Sequence, residues 1–582
     1  MNLSRFLKLI DEECGKKSRD DLGRFVHEAA RRLPAEKRSE FLDMLKSAGE
    51  SGRVVEDDVH KNLQERYSAI VTKLEKIKNA ELELDSEINE SYDDWYHDEE
   101  EFLFSDPENI GEIVESACGL LYDCIDNEEY VLGSEIAEIL LNLEISVSGD
   151  YSDYAGDNFS LSDLFDHDFV ETDIRSMLLC ALYAEYRSFE TKDRPNALYW
   201  IFSNYASYGV NLEQLMQYGD ELPEFDEFLK LWISYLGGRT DGLSQKLLKE
   251  VMELSDDEDA FLENARKYAA THPGLYETYI ENRMKAGFAS EEAEEALYAI
   301  GQEALRLIDQ NYVVRSRIAL LMLQMAIDLD KKDEQDECML EAFRSDSTAA
   351  NYLRLRLNGH NIQKYESEIV EICRRFYMRR KWFYPEDSRG ELTENEIGSI
   401  MAYMLAFLLG DFDAVLKKGM DKKDALGWSG TFMKCGLAAF LLLLLESERL
   451  QGGGMGMCRM VIGHIGNLQF ENTGKTDRDE DEIGEFWNTF SAWKNTIRLS
   501  SEQKIAYLTR MEKLVETRVQ GIMEANRRKY YGECAAYVAA LGEVKASIGE
   551  PGGKQAVMEK YRSKYSRRSA FRQALCEYGM MR

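Results

Sequence analysis

From Tyr530 to Ile548, apolar side chains return at alternating intervals of four and three residues: Tyr530, Cys534, Tyr537, Leu541, Val544 and Ile548. That spacing predicts one stripe of an α-helix. Beyond Pro551, Gly552 and Gly553 a second stripe follows, with Val557, Tyr561 and Tyr565 at every fourth position, then Phe571 and Leu575. The two segments predict an αα-hairpin joined by a short turn. The same rhythm opens the chain: Leu3, Phe6, Leu7 and Ile10 form one stripe, Leu22, Phe25, Val26 and Ala29 the next, and Pro34 starts a third helix. A longer helix is predicted from Asp57 to about Asn79, followed by an acidic segment, 81–106, whose charges predict a solvated face or connector.

From Pro107 onward the pattern repeats as a helix, a short turn with glycine or an acidic pair, an aromatic, and a helix carrying alanine where helices would cross. Examples are 122–141, 283–300 and 406–419, with Gly287 and Gly410 placed to end a helix in the left-handed conformation. Further pairs are 174–189 with 197–208, 273–286 with 290–308, and 312–328 with 333–343. Polar or glycine-rich composition predicts loops at 147–168, 452–456 and 471–482. The 7 prolines fall between periodic segments, and sustained period-two alternation is nearly absent. The predicted fold class is therefore all-α, with irregular helical-hairpin repeats stacked into an α-solenoid. Three regions are expected: an N-terminal helical region with acidic connector (1–106), a helical-repeat array (107–450), and a C-terminal helical region ending in the hairpin (451–582).

Composition narrows the class of partner. The formal net charge of -37 repels phosphate backbones and anionic membranes, so nucleic acid and lipid surfaces are disfavoured. The amino terminus lacks a signal-peptide apolar region, and the run 436–445, GLAAFLLLLL, is too short to span a bilayer, so a buried helix is expected there. Ten cysteines are scattered without a CxxC pair, which suits a reducing cytosol where each is a small buried hydrophobe.

The helix-turn-helix units resemble tetratricopeptide-type repeats, in which neither helix of a unit buries its face alone and neighbouring pairs stack. The family's fixed period and Trp-Leu-Gly-Tyr signature are absent, so irregular pairs describe the chain. The segments HPGLYETYIENRMKAGF, AFRSDSTAANYLRLR, RRKYYGECAAYVAALGEV and KYSRRSAFRQAL together resemble the α-helical region of bacterial proteins that carry a SWIM zinc finger. That resemblance implies a bacterial helical-repeat scaffold. The metal motif of those proteins, CxCx(n)CxH, is absent, so neither zinc nor a zinc-finger role carries over.

Candidate chemistry is sparse. Gly474 to Thr476, GKT, lacks the leading glycine of a P-loop, since position 469 is Gln469, and Asp477, Asp479, Glu480 and Asp481 follow where an anion-binding helix terminus should begin. GGGMGM, 452–457, has no preceding strand. The seven histidines stand far apart with no ligand spacing. Asp150, Asp153, Asp157, Asp163, Asp166 and Asp168 cluster oxygens without the order of a calcium loop. No cofactor or metal is therefore expected. Cys534 among its tyrosines is expected to be core.

Two basic-aromatic segments suit anion or partner contact, because guanidinium forks hold phosphates and carboxylates while aromatic faces stack. They are 372–384, with Arg374, Arg375, Arg379, Arg380, Lys381 and Trp382, and 560–572, with Arg567, Arg568 and Arg572. In so acidic a chain, both sets are expected to neutralise acids of neighbouring helices or of a partner. These readings predict a non-enzymatic scaffold or adaptor for a protein or peptide partner in a bacterial cytoplasm. The alternative is a regulator binding nucleic acid or nucleotide through the two basic segments, followed by an enzyme whose site is assembled from distant residues.

Overall fold

The helical rhythm is realised throughout the computed structural model, which describes residues 16–18, 25–26, 54–88, 102–151, 158–219, 222–254, 257–310, 312–374, 379–382, 393–396, 399–465 and 478–580. These residues are predominantly helical and divide into two units, Met1–Arg239 with Leu243–Asp256, and Thr240–Gly242 with Asp257–Arg582.

The first unit carries α1 (Val54–Lys78), α2 (Ile110–Asp126), α3 (Tyr130–Leu141), α4 (Leu161–Asp166), α5 (Ile174–Ser188), α6 (Arg194–Asn204), α7 (Leu212–Tyr218), α8 (Phe225–Gly237) and most of α9 (Gly242–Leu254). Helices α2, α3 and α5 pack on one another around Val114, Leu121, Ile136, Leu140, Leu178 and Leu182, all buried. Short strands correct two sequence expectations. The ends of the acidic segment 81–106 form strands, β1 (Leu84–Ile88) pairing antiparallel with β2 (Phe102–Ser105), while 89–101 lie outside the described residues. The predicted loop 147–168 contributes β4 (Val147–Gly149), parallel to β1, and β5 (Phe159–Ser160), which pairs with β3 (Glu144–Ile145), as well as α4. The alternation that makes β1 spans only Leu84 and Ser86 on the buried side, too little to register amid carboxylates. Two acids of the 150–168 cluster serve the backbone here: Asp150 accepts the Ile88 N–H at 3.0 Å, and Asp163 accepts that of Ser160 at 2.7 Å. Asp153 and Asp157 lie outside the described residues.

The second unit begins with α10 (Glu258–Lys267), α11 (Gly274–Ala286), α12 (Glu291–Leu307), α13 (Val314–Asp328), α14 (Lys332–Ser345), α15 (Ala349–Asn358) and α16 (Glu366–Arg374). The predicted pairs 273–286 with 290–308 and 312–328 with 333–343 match α11–α12 and α13–α14 within a few residues. Gly287 (φ 80°) and Gly410 (φ 86°) both take the positive φ that glycine permits, although Gly287, with ψ 166°, is extended rather than in the left-handed helical conformation expected of it. A buried charge network fastens this stretch. Arg315 of α13 donates to Glu341 of α14 at 2.9 Å and to the Ile308 carbonyl at 2.6 Å, while Ser345 donates to Glu341 at 2.7 Å.

After β6 (Arg379–Trp382) and β7 (Thr393–Glu396) come α17 (Ser399–Leu408), α18 (Phe412–Lys418), α19 (Phe432–Leu444), α20 (Gly452–Ile465), α21 (Arg478–Lys494), α22 (Ser501–Glu524), α23 (Tyr531–Ser547), α24 (Gly553–Lys564) and α25 (Ser569–Glu577). The apolar run 436–445 forms most of α19 and is buried. Helix α23 packs on α19, α20, α22, α24 and α25, and Cys534 to Val544 are all buried. This corrects the single-stripe reading, since small residues such as Ala535, Ala536, Ala539, Ala540 and Gly542 let neighbours close over every face. The ends of the stripe, Tyr530 and Ile548, are instead half-buried and exposed.

The predicted loop 452–456 is a second correction, because these glycines form the first turn of α20. A Cβ on Gly453 would lie 2.7 Å from the Ala539 carbonyl carbon, so only glycine permits α20 to approach α23 this closely. The third predicted loop, 471–482, is helical from Arg478, and its earlier residues lie outside the described set.

Candidate interaction surface

Helix α22 starts at a capping box, with Ser500 accepting the Gln503 N–H at 3.2 Å and Gln503 accepting that of Ser500 at 2.9 Å. It ends on Asn526, whose φ of 53° is left-handed. The Arg527 N–H donates back to the Ile522 carbonyl at 3.1 Å and the Asn526 N–H to that of Met523 at 3.3 Å, a helix stop that asparagine tolerates in place of glycine. This turn brings Arg527, Arg528 and Lys529 out in succession, all exposed, before α23 begins.

The second basic turn joins α24 to α25. Four of the six cations at 560–572 are engaged within the chain. Lys560 lies 3.8 Å from Glu516 of α22, Lys564 pairs with the same carboxylate, and Arg562 meets Glu559 at 2.9 Å. Arg568, half-buried, donates to Asn526 Oδ1 at 2.6 Å and to the Met523 carbonyl at 2.8 Å. Its charge thereby meets the negative end of the α22 dipole and ties the two basic turns together. The rings of Tyr531 and Phe571 reinforce the junction at 5.9 Å, and those of Tyr565 and Phe571 at 6.0 Å. Arg567 and Arg572 remain exposed. Among the described residues no side-chain hydrogen bond or ion pair engages Arg527, Arg528, Arg567 or Arg572. The fold thus gathers five exposed cations, these four and Lys529, at one corner.

A buried clamp lies behind the corner. Arg518, 1 % exposed, donates to Glu533 at 3.0 and 2.7 Å and to the Ala425 carbonyl. Its guanidinium sits 5.2 Å from the Trp428 ring and 5.0 Å from that of Tyr530. Lys434 adds a second cation to Glu533 at 3.1 Å. Completing both partners of a buried pair matters because a lone buried charge is severely unfavourable. The hydrogen bond with Ser429 and the neighbouring Lys529 ammonium hold the Tyr530 phenol below its ordinary pKa.

The other sequence candidates fall elsewhere. Arg374 ends α16, Arg375 lies outside the described residues, and Arg379, Arg380, Lys381 and Trp382 form β6. The β6–β7 register sets Arg379 opposite Glu396 and Lys381 opposite Glu394. The side chains of this segment lie outside the described residues.

The glycine cluster of α20 has an occupant of its own: Glu543, almost fully buried, accepts the Gly453 and Gly454 N–H groups at 2.8 and 2.7 Å and the Lys554 ammonium at 2.8 Å. An internal carboxylate takes the place a phosphate would need there. GKT at 474–476 lies outside the described residues. Burial pushes the Cys534 thiol up to about 12, so the thiolate needed for nucleophilic chemistry is suppressed at neutral pH.

Sequence reasoning found Arg567, Arg568 and Arg572 but missed Arg527, Arg528 and Lys529, although the RRK triplet was visible. Its signal is the asparagine directly before the triplet, at the end of a long periodic segment. Among the described residues no helix is long and apolar enough to cross a membrane. No protein-family model matches the chain, and no curated protein matches it.

Proposed function

We propose that the chain is a non-enzymatic adaptor of a bacterial cytoplasm that binds a protein or peptide partner, with irregular TPR-like helical pairs as its frame. Support for the frame comes from α10 to α15, where each helix packs on its successor in chain order, the relation expected of stacked repeats. The observation that carries the reading is the cationic corner. A chain of net charge -37 has acids in excess for every cation, yet Arg527, Arg528, Lys529, Arg567 and Arg572 stay exposed together. Such a local reversal of sign steers and orients a partner of opposite charge.

The test is affinity capture from the native host with tagged wild type and an Arg527→Glu, Arg528→Glu, Arg567→Glu, Arg572→Glu variant. The reading expects a protein recovered in near-stoichiometric amount with wild type and lost from the variant. Recovery of no partner, or equal recovery with both, contradicts it.

A further inference from the structure

We propose that the corner receives a short acidic segment of the partner protein, its carboxylates held by Arg527, Arg528, Arg567 and Arg572; this rests on the adaptor reading above. Four of the five exposed cations are arginines, whose planar forks match carboxylates in bidentate geometry. The forks stand on two turns fixed to each other by Arg568 and by the Tyr531–Phe571 contact, so their spacing is set before binding.

Three features favour an acidic peptide over nucleic acid. The nearby rings are largely engaged: Tyr531 and Phe571 are buried against each other, Tyr565 packs on Phe571, and the half-buried Tyr530 lies against Arg518 and Lys529, which leaves little ring face for stacked bases. Acids flank the two turns along the chain, with Glu524 at the end of α22, Glu559 on α24 and Glu577 on α25, so each cationic run is short. A long polyanion would also meet the repulsion of the remaining chain, whereas a short segment engages the corner alone.

The test is fluorescence anisotropy of the full chain with a fluorescein-labelled alternating Glu-Asp peptide of about ten residues and a single-stranded oligonucleotide of equal charge, at about 50 and about 300 mM salt. Peptide binding is expected at low salt and about tenfold weaker at high salt. Either Arg527→Glu with Arg528→Glu or Arg567→Glu with Arg572→Glu should weaken it about tenfold or more, while Lys267→Glu with Lys285→Glu, on α10 and α11, leaves it unchanged. The milder Arg528→Gln, Arg567→Gln variant, with an unchanged circular dichroism spectrum, should also weaken binding and so separates contact from folding.

Absence of peptide binding, equal loss in the Lys267 and Lys285 control, or tighter binding of the oligonucleotide overturns the proposal. If the host partner depends on the corner but the peptide does not bind, the acidic-segment chemistry fails and the adaptor reading stands. If the peptide binds as described but no host partner is recovered, the adaptor reading fails and the surface assignment stands.

Discussion

Glu185 shows how one side chain can make the stability of this protein depend on pH. It sits on α5, where it accepts a hydrogen bond from Ser134 Oγ at 3.0 Å, and burial, assisted by Glu138, pushes its carboxyl up to about 7. A carboxyl raised in the folded state binds its proton more tightly there than in the unfolded chain. Its favourable contribution is complete below the ordinary glutamate range, near 4.3, and is lost as pH rises through about 7. Thermal denaturation at pH 5.5 and 8 should therefore show Glu185→Gln gaining on wild type at the higher pH, and parallel behaviour at both pH values would refute the assignment. Leu541, 1 % exposed at the centre of α23, tests packing instead of charge. Leu541→Asp buries a carboxylate without a partner and should cost about 3 kcal/mol or more, read as a lowered Tm; an unchanged Tm would place that face in solvent.

At the scale of elements, the glycines of α20 divide into those that permit contact and those that do not. A Cβ at Gly453 would fall 2.7 Å from the Ala539 carbonyl carbon and 2.8 Å from the Ala540 Cα, whereas one at Gly463 of the same helix meets nothing within 4 Å. Gly453→Ala should therefore destabilise by about 1–3 kcal/mol through overpacking. Gly463→Ala should stabilise by about 0.5–1 kcal/mol, because alanine loses less backbone freedom in a helix. Denaturant titration of the two variants decides this, and equal effects would contradict the α20–α23 packing. The same helix marks the limit of the sequence reading. Pairs such as α11–α12 were legible because Gly287 and the Ser290 cap announce the turn between them. GGGMGM reads as a loop in any local treatment, and becomes helix only because α23 presents Ala536, Ala539 and Ala540 for close approach. The all-round burial of α23 was hidden for the same reason: alanines carry no stripe, so the larger residues alone set the apparent face.

For the whole molecule, the dominance of helix was legible from periodicity and proline placement, while the candidate interaction surface was only half legible. Arg567, Arg568 and Arg572 declared themselves as a charge run. Their union with Arg527, Arg528 and Lys529 depends on a contact between residues 42 apart, Arg568 with Asn526, which no local pattern announces. Charge runs also look alike whether they are neutralised or open, and only the fold shows that Lys560 and Lys564 face Glu516 of α22 whereas Arg567 and Arg572 do not. The central claim is that this corner is where the protein meets its partner. Hydrogen-deuterium exchange of the captured complex against the free chain tests it most directly. Slowed exchange concentrated in 523–531 and 565–572 is the predicted result, whereas protection confined to other segments, with these two unchanged, would contradict the account.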